Sequence, residues 1–461
     1  MPLKIPEDLV VSLSGFRGRV GDSLTPEFVF ALAASFGAFV SASTANGTII
    51  IGRDSRTSGA MLSASATSGI LSVGCDVVDL GIVATPTLML AVERSQALGG
   101  IEVTASHNPA EWNALKLASP KGMFLSAETM AAFLEFAQEE DPERAAWDRL
   151  GSVSVDGGAA ERHLKSVLEL PQVDVEEIRA LDLKVALDCV RGAGATIMPG
   201  LLEALGCRVV AIHSEMDGHF PRDPEPTAEN LQELGDLVRR EEADLGFAVD
   251  PDVDRLSLVN EQGDPVGEDL TLALAAAVVL ERTPGVVVTN LSTSQVVEDV
   301  AEAYGSRVVR SPVGEVNVAS RMKSEGAVIG GEGNGGVILP TLHYTRDAPV
   351  GAALILQLLV NEDAPLSKTV AKWPSYVIVK RKVSFPREML PEAYGLLEEC
   401  LSGGEVDRED GLRLHWSTRR AWLHVRASGT EPIVRLIGEA ATRDEAEKLI
   451  ENAATVLTEL T

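Results

Sequence analysis

Cysteine is scarce in this chain and unpatterned. Four occur (Cys75, Cys189, Cys207 and Cys400), far apart and without metal-ligand spacing. That excludes a disulfide scaffold and a thiolate metal cluster, and the four read as buried thiols in a reducing compartment. Positive charge is short too: 40 Lys and Arg stand against 68 Asp and Glu, a formal net charge of −28. So acidic a chain is a poor partner for nucleic acid, and an anionic substrate would need a locally basic cleft. No run of about eighteen uncharged apolar residues occurs, and Met1-Pro2-Leu3-Lys4 opens no apolar stretch of signal-peptide length. These absences give the expectation of a cytoplasmic protein without a membrane partner. Aromatics are few, at 4%, but hydrophobic residues at 45% suffice for large cores.

What is present is length and a recurring order. At 461 residues the chain exceeds one core, and length alone suggests about three domains. Thr48-Ile49-Ile50-Ile51-Gly52 reads as a strand, a helix follows from about Ser58 to Val73, and Gly74-Cys75-Asp76-Val77-Val78 starts another strand. The order returns from Val185-Ala186-Leu187 to Gly206-Cys207-Arg208-Val209-Val210, and from Val286-Val287-Val288-Thr289 to Gly305-Ser306-Arg307-Val308-Val309. Glycine as the helix stop, then a β-branched pair, is a consistent signal. After Pro365 the pattern changes to short alternating strands over 376–383, 412–416, 421–425 and 433–437. A closing helix from about Arg443 to Leu460 carries Asp444, Glu445 and Glu447 early, as the helix dipole favours. The predicted fold is α/β: three related α/β domains with mixed, mostly parallel sheets, plus a C-terminal antiparallel α+β domain, around a central cleft. The expected boundaries are 1–152, 153–258, 259–367 and 368–461.

Four stretches carry chemistry. Thr104-Ala105-Ser106-His107-Asn108-Pro109 follows the apolar run Gly100–Val103 and ends in a proline that cannot extend a strand. It places a serine beside a histidine at the rim of a sheet, where a nucleophile or phosphate carrier belongs. Asp250-Pro251-Asp252-Val253-Asp254-Arg255 follows the strand Leu245–Val249. Three carboxylates at alternate positions repel one another unless a cation sits among them, and hard oxygen donors favour Mg²⁺ completed by phosphate oxygens. The EF-hand glycine and distal glutamate are missing. Gly331-Glu332-Gly333-Asn334-Gly335-Gly336 matches G-x-G-x-x-G formally, but extended Val337-Ile338-Leu339-Pro340 follows it and Leu354 to Val360 holds no acid. The dinucleotide reading is therefore rejected, and Glu332 and Asn334 suit sugar hydroxyls instead. Arg426-Ala427-Ser428-Gly429-Thr430-Glu431-Pro432 joins two strands with a guanidinium, two hydroxyls and a glycine-freed backbone, a phosphate clamp. Near the start, Ser14-Gly15-Phe16-Arg17-Gly18-Arg19 suggests a tight turn presenting Arg17 or Arg19. The remaining histidines read as surface or strand residues, with His343 a candidate for lining the cleft.

These motifs, in this order over nearly the whole chain, resemble the α-D-phosphohexomutase superfamily of phosphoglucomutases, phosphomannomutases and phosphoglucosamine mutases. The resemblance implies a phosphoserine at Ser106 and Mg²⁺ held by Asp250, Asp252 and Asp254 with the serine phosphate. It implies a sugar loop at Glu332 and Asn334, a clamp for the non-reacting phosphate at Arg426, Ser428, Gly429 and Thr430, and basic positions at Arg17, Lys116 and Arg255. The substrate would be a small-molecule sugar phosphate, with a hexose 1,6-bisphosphate as activator. Lys116 or His107 would relay the hydroxyl proton. The sequence departs from the family in holding Pro251 and Val253 where glycines are usual, Ala114 after Asn113, and Gly336 where a histidine often stands. The form G-E-G-N-G-G is most similar to the archaeal-type phosphoglucosamine mutase branch. A haloacid-dehalogenase-like phosphatase using Asp250 and Asp252 is the competing class, although it leaves Ser106 idle. A catalytically silent sugar-phosphate sensor is a third. Nothing in the sequence separates a monomer from a homo-oligomer, or names the sugar.

Overall fold

The computed structural model describes residues 2–42, 47–427 and 433–460. Four sheets form along the chain. In the first, the strand Thr48–Arg53 lies between parallel Asp76–Ile82 and Gly99–Val103, and Trp112–Ser119 pairs antiparallel with Gly99–Val103. The second repeats this arrangement with Lys184–Asp188 between Arg208–Ile212 and Leu245–Val249, and Leu256–Val259 antiparallel beyond. The third repeats it again with Val286–Asn290 between Arg307–Ser311 and Ile329–Glu332, closed by antiparallel Gly336–Ile338. In each unit helices make the two parallel crossovers, and a short hairpin makes the last step. The fourth sheet is wholly antiparallel, in the order Val377–Ser384, Ile433–Ala440, Ala421–Ala427, Leu412–Trp416, Glu405–Asp407.

The reasons are local. Central strands such as Ile49-Ile50-Ile51, Val185-Ala186-Leu187 and Phe247-Ala248-Val249 are buried on both faces, so they are apolar without alternation. The helix-stop glycines Gly74, Gly206 and Gly305 have φ of 83°, 86° and 63°, a region closed to most side chains. The second and third units share one continuous core through the apolar helices Glu268–Arg282 and Ala348–Glu362, whereas the first and fourth have cores of their own.

Several expectations need correction. Val153–Val155 pairs parallel with Asp76–Ile82, so the first sheet runs past the boundary expected at 152. Arg17 and Arg19 do not sit in a turn: Gly15–Arg19 is a strand pairing with Val10–Ser12 and with Trp112–Ser119. Cys400 is exposed, unlike the other three cysteines. His163 is a fully buried helix residue, neither surface nor strand. Among the described residues, no helix is long and apolar enough to cross a membrane. Ser428, Gly429 and Thr430 lie outside the described residues.

Candidate active site

The three repeated units put their functional residues at one topological place, the turn into the antiparallel fourth strand. In the first unit that turn holds Ser106, with φ of 50°. Its Oγ donates to Asp250 Oδ2 at 2.7 Å and lies 3.3 Å from His107 Nδ1, and its N–H is fixed by Thr104 Oγ1 at 3.0 Å. Arg56, fully buried, shapes the loop. Its Nε meets Asp54 at 3.0 Å, and its terminal nitrogens donate to the carbonyls of Ser106, Asn108, Pro109 and Trp112 at 2.6–2.9 Å. Arg17 donates to Asn108 Oδ1 at 2.7 Å, from a strand directly beside the serine loop.

The second unit's turn holds the aspartates, all fully buried. Asp250 Oδ1 accepts the N–H groups of Asp254 and Arg255, both at 3.2 Å. Asp252 Oδ2 takes Lys116 Nζ at 2.6 Å and Thr85 Oγ1 at 2.7 Å. Asp254 Oδ2 takes Arg346 at 2.5 Å. Arg255 pairs with Glu225 at 2.9 Å and approaches Asp254 at 3.8 Å. Val253, where the resembled family has glycine, sits at φ 66°, a strained state for a β-branched residue. Its carbonyl accepts the Ala348 N–H at 3.2 Å.

The third unit's turn holds the glycine-rich loop. Glu332 accepts from Asn290 at 2.8 Å, Gly314 N–H at 3.0 Å and Arg346 at 2.9 Å. Asn334 Oδ1 accepts the Gly336 N–H at 3.2 Å. Gly335 has φ of 86°, and a Cβ there would lie 2.4 Å from the Leu256 carbonyl. The Leu256 N–H donates to Gly335 O at 3.0 Å, so the second and third hairpins abut. In the fourth unit Arg426 pairs with Asp410 at 3.0 Å, and Asp410 in turn accepts the Val313 N–H next to Gly314.

One ligand atom from each of Asp250, Asp252 and Asp254 falls within 4.8 Å of the others. Asp252 Oδ1 and Asp254 Oδ1 are buried with no hydrogen-bond partner. Orphaned carboxylate oxygens beside a serine hydroxyl fit a hard divalent cation such as Mg²⁺. The charges agree. Burial, then Asp252 and Asp254, raise the Asp250 carboxyl well above the usual range. At Asp252 the same burial is outweighed by Lys116, which holds that carboxyl below its usual range. Burial opposes the charge on Lys116, but Asp252 and Asp254 prevail and keep it an ammonium. His107 is pushed well below the usual imidazole range, first by burial and then by Arg255 and Arg17, so it is neutral at pH 7.

Ser106, His107, Lys116, Arg17, Arg255, the three aspartates and Glu332 are thus joined by one set of contacts, while Asn334 and Arg426 border it. The sequence motifs did not reveal Arg56, Thr85, Glu315 or Arg346. Arg346 is the joint of the site, reaching Asp254, Glu332 and Glu315 at once. Its signal was available: Arg346-Asp347 is a charged pair at the start of the apolar helix Ala348–Glu362. Likewise Asp54-Ser55-Arg56 follows a buried strand directly.

The chain matches four family models in order. Three are phosphoglucomutase/phosphomannomutase alpha/beta/alpha domains: I over residues 9–144, II over 161–263 and III over 267–376. The fourth is the phosphoglucomutase/phosphomannomutase C-terminal domain over 379–456. It is 39% identical over 440 residues to a probable phosphoglucosamine mutase of Methanopyrus kandleri, covering 95% of each chain. It is 37% identical over 452 residues to a phosphoglucomutase/phosphomannomutase of Thermococcus kodakarensis, covering 96% of this chain and 97% of that one. A crystal structure of a phosphoglucomutase/phosphomannomutase family protein from Burkholderia thailandensis shares the fold, with a TM-score of 0.85 at 24% identity and 98% of each chain covered.

Proposed function

The chain belongs to the phosphoglucomutase/phosphomannomutase family, and from that premise we propose that it interconverts the 6-phosphate and 1-phosphate of a hexose, glucosamine before mannose or glucose. The names of its relatives support the amino sugar. The observation that carries the chemistry is the 2.7 Å contact between Ser106 Oγ and Asp250, inside a buried carboxylate trio with unmet oxygens.

Phospho-Ser106 donates its phosphoryl group to a free sugar hydroxyl. The Oγ–P bond breaks, a sugar O–P bond forms, and the hydroxyl proton passes through a base to the serine oxygen left behind. His107, neutral and 3.3 Å from Oγ, suits that role. Lys116, held as an ammonium, supplies charge instead. The bisphosphorylated sugar turns over and returns its other phosphate to Ser106. Mg²⁺, held by Asp250, Asp252 and Asp254 with the serine phosphate, would neutralise charge on the transferring group. Arg17 and Arg255 would add positive charge near the reacting phosphate, Glu332 and Asn334 take sugar hydroxyls, and Arg426 with Ser428, Gly429 and Thr430 takes the non-reacting phosphate. A hexose 1,6-bisphosphate would prime the serine, and the enzyme works in the cytoplasm.

Both oxygens of Asp250 are engaged, by Ser106 and by two backbone N–H groups. The phosphatase alternative would leave Ser106 idle, although its Oγ sits 2.7 Å from that carboxylate. A coupled assay of glucosamine, mannose and glucose 6-phosphates with Mg²⁺ tests the substrate. Mass spectrometry tests the carrier: a phosphorylated Ser106 peptide is expected. A wild type still unphosphorylated at Ser106 after incubation with the bisphosphate, or Ser106→Ala with full mutase activity, would sink the scheme.

A further inference from the structure

Behind the site, three units meet in one buried cluster around Asp347. Asp347 Oδ2 accepts His163 Nε2 and His343 Nε2, each at 2.8 Å. His163 comes from the helix Ala159–Leu168 that leads into the second unit, and its Nδ1 meets Thr87 Oγ1 of the first unit at 2.9 Å. The other Asp347 oxygen caps the helix Ala348–Glu362 through the Val350 N–H at 3.0 Å. Asp347, His163, His343 and Thr87 are all at most 1% exposed. None of them touches the carboxylate trio.

Each end of this cluster is nevertheless one or two residues from a group that does. Arg346 precedes Asp347 and binds Asp254. Thr85, two residues before Thr87, grips Asp252 twice: its Oγ1 on Oδ2 at 2.7 Å and its N–H on the carbonyl at 2.9 Å. Alternate aspartates of the second unit are thus held from the third unit and from the first, and the two holders are tied to each other through His163 and Asp347. A buried donor left without its acceptor costs enough to keep such a tie closed.

We propose that the His163–Asp347–His343 cluster with Thr87 is a positioning clasp: it sets the register of Arg346 and Thr85 on the aspartates and so tunes how tightly the trio holds its divalent cation. The proposal rests on the cation reading above. Residues supporting metal ligands from outside commonly change metal affinity by about 10–100-fold when altered, and one further remove places the clasp at the low end.

The test is direct Mn²⁺ binding to the full chain, followed by electron paramagnetic resonance, with thermal unfolding alongside. His163→Leu is expected to weaken Mn²⁺ binding roughly tenfold and Thr87→Val about threefold, while Asp252→Asn removes binding. Leu397→Ala, a core truncation in the fourth unit, should lower the melting temperature without changing Mn²⁺ affinity. If His163→Leu and Thr87→Val bind as the wild type does while Asp252→Asn binds nothing, the clasp is overturned and the cation reading stands. If Asp252→Asn binds normally, both fall. A second metal equivalent lost only in His163→Leu would make the cluster a metal site in its own right and overturn the positioning role. Should His163→Leu not fold, the near-isosteric Thr87→Val decides.

Discussion

The second and third sheets have the same strand order, the same pairing senses and the same closing hairpin, yet the two hairpins are charged in opposite styles. In Asp250–Arg255 three carboxylates crowd one turn, and neutrality comes from Arg255 in the turn and from Lys116 and Arg346 in other elements. In Gly333–Gly335 the turn carries no charge, and of the carboxylates beside it Glu332 is matched by Arg346. The fold therefore fixes where a site residue stands, and residue choice fixes whether that place calls for a cation or for a neutral, hydroxyl-bearing ligand. Close abutment through Leu256 and Gly335 makes the two styles parts of one pocket.

The comparison can be broken from either side. Asp252→Asn should lower kcat roughly 10²–10³-fold, the scale of removing one preorganised electrostatic group, with the loss read in the coupled mutase assay. Glu332→Gln should act mainly on sugar binding, as a KM increase of about tenfold, near 1.4 kcal/mol. Equal effects of the two on kcat would erase the distinction. Arg346→Met strips one partner from Asp254, Glu315 and Glu332 together. The expected loss is about 3–5 kcal/mol of folding stability, measured by denaturant titration, and retention of wild-type stability would show the two hairpins to be independent. Gly335→Ala forces a Cβ against the Leu256 carbonyl at positive φ and should cost about 1–3 kcal/mol, with Mn²⁺ binding retained.

The smallest effect concerns pH. Asp269 lies against Gly333, and burial raises its carboxyl to about 7. A carboxyl whose folded value is above its unfolded value favours folding fully below the unfolded value, near 4. That contribution is lost as pH rises through about 7. Asp269→Asn should therefore flatten the pH dependence of the melting temperature between pH 4 and 8, and an unchanged slope would remove Asp269 from this account.

How much of this was legible in the sequence depended on how local each signal was. The repeated strand–helix–strand order was readable because apolar runs and stop glycines lie next to each other in the chain. Ser106 and the aspartates were readable because their spacing is short and their strands lead straight into them. Arg56, Arg346 and His163 were not, because what distinguishes each is a partner tens of residues away. Arg56 meets carbonyls more than 49 positions on, and His163 meets Asp347 across 184. Val153–Val155 escaped notice because a three-residue strand that is exposed along its length carries no apolar pattern. The Arg17 segment misled for the opposite reason, since its glycines suggested a bend where close packing demanded them: a Cβ at Gly15 would meet the Leu115 carbonyl at 2.1 Å.

Arg56 has a further consequence. A single planar cation holds four carbonyls of the serine loop and of the strand it enters, so the loop is a fixed stage with little room to remould itself around a visitor. A reaction that must offer first one end of a sugar and then the other to that stage leaves the turning to the guest.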